Sequence, residues 1–474
     1  MMLRLLQLYV FLLPFEMLWL ELFGVDTILK PYRLVGLAII GLKIVGTFNP
    51  RTRVRIDVFD RVFLAIFTWG LLAAVFWYVL SGSGNLSWAT SDSILIFFAF
   101  AVYIVLKSET RQFATVEKLL DSFLLGTLVS IVSYAGFFGS ITADRFQAFY
   151  DNPNRLAVAV TACLVLIVAR FLFGRVRRRG VDYLWHGGLF LFLSFVLFFT
   201  GSKGALLGFA FSLMAFAIPL MVRSKQTGSL NLGRVVAILP VVVAAGLVIS
   251  AAFTEYEDST AVQRYQIGSG RTSNSAGSRL DIWESAWNVA QDHYFLGVGT
   301  AQYRFYHRDY VSRLDNLRSP KIAEADLGTH SDYLNLLTSF GIVCTALYAW
   351  MLLLIYRGLT FGLGRLKERD FYPMAAYLPV LVFLVVNAAT HIMMGSPDYW
   401  FFMALITGAV APTLARGRPT GGRPGRPAGP ERPARPGRPG FQQARRRQQL
   451  EELRRLEQRR QTGRRQRPPR SSGS

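Results

Sequence analysis

Residues 62–80 read VFLAIFTWGLLAAVFWYVL, a continuous apolar stretch without a charged residue. A helix of about 20 such residues is long enough to span the hydrocarbon core of a bilayer. Comparable stretches recur along the chain of 474 residues, of which 52% are hydrophobic and 14% are aromatic. The composition therefore predicts a membrane protein in which the bilayer, and not a soluble core, receives most of the apolar surface.

The apolar stretches predict about twelve spanning helices, and an even number of spans returns both termini to one side of the membrane. Every second connection is rich in Lys and Arg, as in 51–55 and 175–179, whereas the alternate short connections carry few. By the positive-inside rule, we expect an inner (cytoplasmic) membrane protein with both termini in the cytoplasm. The predicted fold is an all-α polytopic helical bundle, with spans at 3–23, 33–48, 58–80, 92–107, 119–139, 155–173, 183–200, 203–223, 234–253, 333–356, 373–391 and 397–415.

Four parts follow from this pattern. Residues 1–253 hold spans one to nine, and residues 333–415 hold spans ten to twelve. The connection 254–332 is too long for a turn, so we expect a large periplasmic loop that contains short helices. Residues 416–474 hold 18 arginines, four glutamates and Gly-Arg-Pro repeats, which predicts a disordered cytoplasmic tail lying on the anionic headgroups of membrane lipids. Nucleic-acid binding is the weaker alternative, and no specific nucleic acid is expected.

Four residues that can carry positive charge fall on the predicted outer side: Lys203, Arg279, His330 and Arg145. Helix-capping patterns place the first three in the first turn of a helix: Thr200-Gly201-Ser202, Ser278-x-x-Asp281 and Thr329-x-x-Asp332. A cation there opposes the helix dipole, but with the free N–H groups it forms a site suited to an anion such as pyrophosphate. A single basic residue at a membrane boundary often only snorkels to headgroups. The prediction of an anion site therefore depends on all four residues lying on the same side of the membrane.

The sequence after Ser278 predicts an amphipathic helix. Leu280, Trp283, Trp287 and Ala290 recur at a spacing that would place them on one face. We expect that face to lie against the membrane surface or the bundle.

No metal or cofactor site is predicted. The five histidines show no ligand spacing, the two cysteines lie in apolar blocks, and there is no Gly-rich phosphate loop. Glu16 and Glu21 in the first span are costly in lipid, so we expect them to face a polar interior, either paired with a basic residue or facing a substrate.

Four segments resemble the O-antigen ligase and Wzy-polymerase superfamily of membrane glycosyltransferases. They are the Ser-Lys-Gly helix start in 200–207, the Gly-Ser-Arg-Leu loop signature from 277 to 299, the histidine segment 330–341, and Arg145 with Asp-Asn-Pro-Asn at 151–154. Lys203 stands where the family usually has Arg, which keeps the charge but loses the bidentate fork that grips a phosphate.

The resemblance implies a GT-C-like bundle and metal-independent, inverting transfer of an undecaprenyl-pyrophosphate-linked glycan on the periplasmic side, without a cofactor. In this interpretation Arg279, Lys203 and Arg145 bind the donor pyrophosphate. His330 accepts the proton of the acceptor hydroxyl, or alternatively binds phosphate as a cation, and Asp332 orients His330.

The acceptor distinguishes three related reactions: ligation to lipid A core, polymerisation of glycan repeat units, and transfer to protein by an O-oligosaccharyltransferase. One dominant outer loop favours the ligase, since polymerases of the family tend to have two. A lipid or polysaccharide transporter is the alternative from another class. It would place polar groups near the bilayer midplane on broken helices, whereas these span interiors are largely apolar. A structural scaffold is the third alternative.

Overall fold

The computed structural model describes residues 1–47, 56–82, 84–110, 113–139, 145–174, 180–228, 270–315, 317–319, 322, 327–365 and 371–417. Every regular element in these ranges is a helix, which confirms the all-α prediction. The helices are α1 (Met2–Leu12), α2 (Leu18–Phe23), α3 (Pro31–Thr47), α4 (Val58–Ser81), α5 (Leu86–Glu109), α6 (Phe113–Phe137), α7 (Pro153–Phe173), α8 (Gly180–Phe199), α9 (Lys203–Ala215), α10 (Ala217–Thr227), α11 (Gly270–Asp292), α12 (Tyr303–Val311), α13 (Asp332–Leu363), α14 (Phe371–Ala388) and α15 (Pro397–Gly417).

Eight helical segments in the described ranges are long and apolar enough to cross a membrane: α4 to α8, the adjoining pair α9 and α10, α13 and α14. The chain is therefore a multi-pass helical membrane protein. The parts of the sequence outside the described residues include the predicted span at 234–253, residues 254–269 of the long connection, and the tail from residue 418. The side of the membrane that each terminus occupies stays a prediction.

The predicted first span at 3–23 is divided into two helices. Pro14 lacks an N–H and its ring clashes with the preceding turn, so α1 ends at Leu12 and α2 begins only at Leu18. The Pro14 carbonyl accepts a hydrogen bond from Ser130 Oγ at 2.9 Å. The break places the buried Glu16 inside the bundle, where its carboxylate forms an ion pair with Arg155 at 2.6 Å.

Two helices form the centre of the bundle. The apolar window of α7 is 94% buried and that of α14 is 83% buried, whereas the other candidate spans are 33–44% buried. The less buried spans therefore present an outer face to lipid. Helix α9 packs closely on α14 through Gly208, because a Cβ at this position would lie 2.8 Å from the Phe383 ring.

A buried ion cluster joins the start of α4 to the end of α5. Lys107 Nζ lies 2.6 Å from carboxylate oxygens of both Asp57 and Asp60. The same two carboxylates form a capping box at the start of α4, and the ammonium also lies over the rings of Phe59 and Tyr103. One cation thus compensates two carboxylates, and its loss would leave like charges facing each other inside the bundle.

We expect Lys107→Met to destabilise the protein by about 3–5 kcal/mol, the typical cost of removing one partner from a buried ion pair. Unfolding of the protein in detergent, followed by circular dichroism, measures the change. Lys30→Met is the matched control, because its partner Asp26 is exposed and a surface pair contributes little. Equal stability of Lys107→Met and the wild type would contradict the structural role of this cluster.

Candidate active site

A cavity of about 750 Å³ opens at the end of the bundle where α7, α13 and α15 begin and α14 ends. Its walls include three of the residues singled out from the sequence: Arg145, Arg279 and His330. These residues are separated by up to 185 positions in the chain. The fold therefore brings together side chains that the sequence placed only on the same side of the membrane.

The cavity is rich in positive charge. Five arginines line it, against two aspartates: Arg33, Arg145, Arg155, Arg279 and Arg304, with Asp92 and Asp151. Arg155 is paired with Glu16 and Asp151. A cleft lined mainly by one sign of charge concentrates ligands of the opposite sign, so this arrangement suits an anionic group.

Arg145 is fixed at the cavity wall by two neighbouring elements. Its Nε donates to the Thr200 carbonyl at the end of α8, at 2.9 Å, and its Nη2 donates to Asn154 Oδ1 at 3.0 Å. Asn154 lies in the first turn of α7, which Asn152 caps through a hydrogen bond from the Asn154 N–H. The upstream Arg and the Pro-Asn segment noted in the sequence are therefore in direct contact.

Arg279 lies inside α11, and not at its start. The helix begins at Gly270, so the prediction that Ser278 and Asp281 form a capping box was wrong. The buried Asp281 carboxylate instead accepts hydrogen bonds from the backbone N–H groups of Arg318 and Ser319, both at 2.9 Å. These bonds tie α11 to the segment that follows α12.

The predicted apolar face of α11 is only partly buried. The buried side is formed by Ile282, Ala286 and Val289, which pack with Val298 and residues of α12. Of the residues predicted to share one apolar face, Ala290 is buried, whereas Leu280 and Trp287 are about half exposed. The alternative that this face lies on the membrane surface stays a prediction. Helix α11 thus packs on its neighbours mainly through Ile282, Ala286 and Val289, and not through its tryptophans.

His330 precedes α13 in a left-handed conformation, with φ at 50°. The helix is capped by Ser331, whose Oγ accepts from the Leu334 N–H at 3.5 Å, so the prediction that His330 occupies the first turn was wrong. Left-handed backbone is unfavourable for most non-glycine residues and is found at functional sites. Burial lowers the pKa of the His330 imidazole, and Arg279, His307 and Arg304 lower it further. His330 is therefore neutral at pH 7.

Asp332 begins α13 and is fully buried. Its carboxylate accepts from the backbone N–H of Met393 at 2.8 Å and from that of Met394 at 3.3 Å. Its own N–H donates to the His391 carbonyl at 3.2 Å. Asp332 thus fixes the turn between α14 and α15 against the start of α13, and its predicted action on His330 stays a prediction.

Lys203 is the first residue of α9 and is exposed. The preceding Ser202 is the N-cap residue, as the sequence predicted, although its side chain makes no capping hydrogen bond. Lys203 is not among the described residues that line the cavity. The next residue, Gly204, packs against the cavity wall, because a Cβ at this position would lie 3.0 Å from His391 Cε1. Lys203 therefore lies beside the cavity and not in its wall.

Arg304 and His391 are among the cavity residues that the sequence did not single out. His391 lies just after α14, and burial together with Arg279, His330 and Arg145 lowers its pKa to about 3. Its position at the outer end of the predicted eleventh span was the available signal. Arg304 lies in α12, within the long connection, and no sequence pattern distinguishes it from the other basic residues there. In the described ranges, no three His, Cys, Asp or Glu side chains are placed to hold a metal ion.

Residues 188–349, roughly one third of the chain, match the family model described as O-antigen ligase (Wzy_C). No curated protein matches the chain. The matched region runs from α8 into α13 and includes Lys203, Arg279 and His330. Arg145 and His391 lie outside it and join the matched residues only through the fold. Residues 188–349 of this multi-pass membrane protein thus carry a domain that matches the O-antigen ligase family, which supports a place for that domain in the O-antigen ligase and Wzy-polymerase superfamily.

Proposed function

We propose that the protein transfers a glycan from undecaprenyl pyrophosphate to an acceptor hydroxyl on the periplasmic side of the inner membrane. The observation that carries the proposal is the convergence of Arg145, Arg279 and His330 on one cavity. The cavity combines a concentration of fixed positive charge with a neutral imidazole. Those are the two kinds of group that displacement of a pyrophosphate by a hydroxyl needs.

The acceptor hydroxyl oxygen attacks the anomeric carbon, and the bond from that carbon to the pyrophosphate oxygen breaks. The leaving pyrophosphate takes the bonding electron pair, so negative charge grows on the oxygen that was bonded to the anomeric carbon. Arg279 and Arg145 stabilise that charge from within the cavity, as preorganised cationic donors do in a water-poor site. Lys203 contributes from the rim beside His391. A single displacement inverts the anomeric configuration, and no metal is required.

His330 takes the proton of the attacking hydroxyl. The lowered pKa of its imidazole supports this role over the alternative of binding phosphate as a cation, because the neutral ring can accept a proton. Asp332 acts through the backbone, by holding the start of α13 against the turn at 391–394. We assign it as a positioning residue.

Ligation to lipid A core is the proposed reaction. One long connection, 254–332, contributes Arg279, Arg304 and His330 to the cavity, whereas the connection between α6 and α7 is short. Polymerisation of glycan units and transfer to protein use the same donor, so they would share the cavity and differ in the acceptor. Polymerisation is therefore a separate outcome of the assay below.

The purified full chain in lipid nanodiscs should transfer the glycan from undecaprenyl pyrophosphate to lipid A core with EDTA present. We expect Arg279→Ala to lower kcat about 100- to 1,000-fold through loss of leaving-group stabilisation. We expect His330→Ala to lower kcat about 100- to 10,000-fold through loss of the general base. Gel mobility of the acceptor measures the product.

Arg313→Ala is the matched control for this assay, since Arg313 is exposed and does not line the cavity. It should transfer at the wild-type rate. Lengthening of the donor glycan without ligation would indicate a polymerase. A well-folded wild type that formed neither product but moved the lipid-linked glycan across a vesicle bilayer would contradict the proposal. That result would indicate a transporter.

The pH dependence of kcat/KM reports on the free enzyme. Because the pKa of His330 is lowered, kcat/KM should rise with pH along a limb centred below the usual value of about 6.5. The deprotonated ring is the active form, so activity is lost as the pH falls through this pKa. The limb should be absent in His330→Ala. A flat wild-type profile from pH 4.5 to 8 would rule out His330 as the base.

A further inference from the structure

His391 is a second histidine in the cavity that the proposed mechanism does not use. It lies in the turn between α14 and α15 and shares the cavity walls with Arg145, Arg279 and His330. Its backbone is fixed, because its carbonyl accepts from the Asp332 N–H at 3.2 Å and the Asp332 carboxylate accepts from the N–H groups of Met393 and Met394. The ring therefore projects from a rigid turn and not from a mobile loop.

We assign the tautomer of His391 from the contacts of its ring. His391 Nδ1 lies 2.9 Å from Thr390 Oγ1, and the Thr390 hydroxyl lies 3.3 Å from the Asn387 carbonyl. A hydroxyl has one proton, and a carbonyl can only accept, so we assign the Thr390 proton to the Asn387 carbonyl. The Nδ1–Oγ1 bond then needs a proton on Nδ1. In a neutral ring this leaves Nε2 with an unshared electron pair, as an acceptor only.

Nε2 has no hydrogen-bond partner among the described residues, although the atom is buried. A buried acceptor without a partner costs free energy, so a ligand that supplies a donor at this point gains what the protein alone lacks. Protonation of Nε2 is disfavoured by burial and by the charges of Arg279, His330 and Arg145, which together lower the pKa of His391 to about 3. The acceptor character is therefore retained across the physiological pH range.

We infer that His391 Nε2 accepts a hydrogen bond from a hydroxyl of the bound saccharide. An ionised pyrophosphate offers only acceptor oxygens and cannot satisfy Nε2, whereas a sugar ring carries several hydroxyl donors. The cavity then has two chemically distinct parts. The arginines bind the pyrophosphate, and His391 binds sugar. This inference rests on the proposed function, and the hydroxyl belongs either to the donor glycan or to the acceptor.

Two variants distinguish the contribution of Nε2 from that of Nδ1. The amide of His391→Asn lies near the position of Nδ1, so it keeps a polar group beside Thr390 but leaves the Nε2 position empty. The longer His391→Gln carries its amide to the Nε2 position, where its carbonyl can accept. Both variants are neutral and similar in polarity. A difference between them therefore reports on the Nε2 position and not on loss of the ring in general.

The test is equilibrium binding of three probes by the full chain in nanodiscs: undecaprenyl pyrophosphate with its glycan, undecaprenyl pyrophosphate alone, and lipid A core. We expect His391→Asn to weaken a saccharide-bearing probe about three- to tenfold, the effect of losing one neutral hydrogen bond. His391→Gln should bind that probe within about twofold of the wild type. Neither variant should change binding of undecaprenyl pyrophosphate alone, whereas Arg279→Ala should weaken both undecaprenyl probes.

Weakening of the glycan-bearing lipid identifies the donor saccharide as the partner of His391, and weakening of lipid A core identifies the acceptor. Equal affinities of the wild type and His391→Asn for both saccharide probes would overturn the inference, as would equal weakening of undecaprenyl pyrophosphate with and without its glycan. Failure of the wild type to bind either undecaprenyl probe would instead overturn the proposed function. If His391→Asn does not fold, His391→Gln and His391→Phe provide the same comparison, because Phe keeps the ring volume without an acceptor.

Discussion

The contact of Asp332 with the turn at 391–394 is the interaction on which the candidate site depends. A fully buried carboxylate accepts two backbone N–H groups of that turn, and the N–H of the same residue returns a hydrogen bond to the His391 carbonyl. Without the carboxylate, two buried N–H groups would lose their partners, which is costly in a medium that supplies little water. The contact sets the start of α13 against the end of α14. His330 on one side of it and His391 on the other thereby face the same cavity.

The bilayer explains why so much of the fold could be predicted from the sequence. Spanning helices must satisfy their backbone internally and cover themselves with apolar side chains, so length and hydropathy identify them. Pro14 shows where this signal fails, because it interrupts a helix without changing the mean hydropathy of the segment. The break is nonetheless what brings Glu16 to Arg155. A local backbone constraint thus determined a tertiary contact that the periodicity did not contain.

The candidate site was predictable as a set of residues more than as a geometry. Arg145, Arg279 and His330 were identified as cations on one side of the membrane, and the cavity contains all three. The prediction that Arg279 and His330 occupy the first turn of a helix was wrong, since Arg279 lies inside α11 and His330 precedes its helix in a left-handed conformation. His391 was missed because its importance comes from Asp332 and Thr390, contacts that single-sequence spacing does not encode.

The left-handed backbone of His330 has a consequence for how this protein can evolve. Glycine adopts a positive φ without steric cost, so replacement of His330 by glycine would relieve local strain while removing the imidazole. With His330 in its proposed role as general base, thermostability and turnover are opposed at this position. Under that proposal, a library selected only for resistance to heat would accumulate inactive sequences at this position, whereas a population selected for activity would retain the histidine.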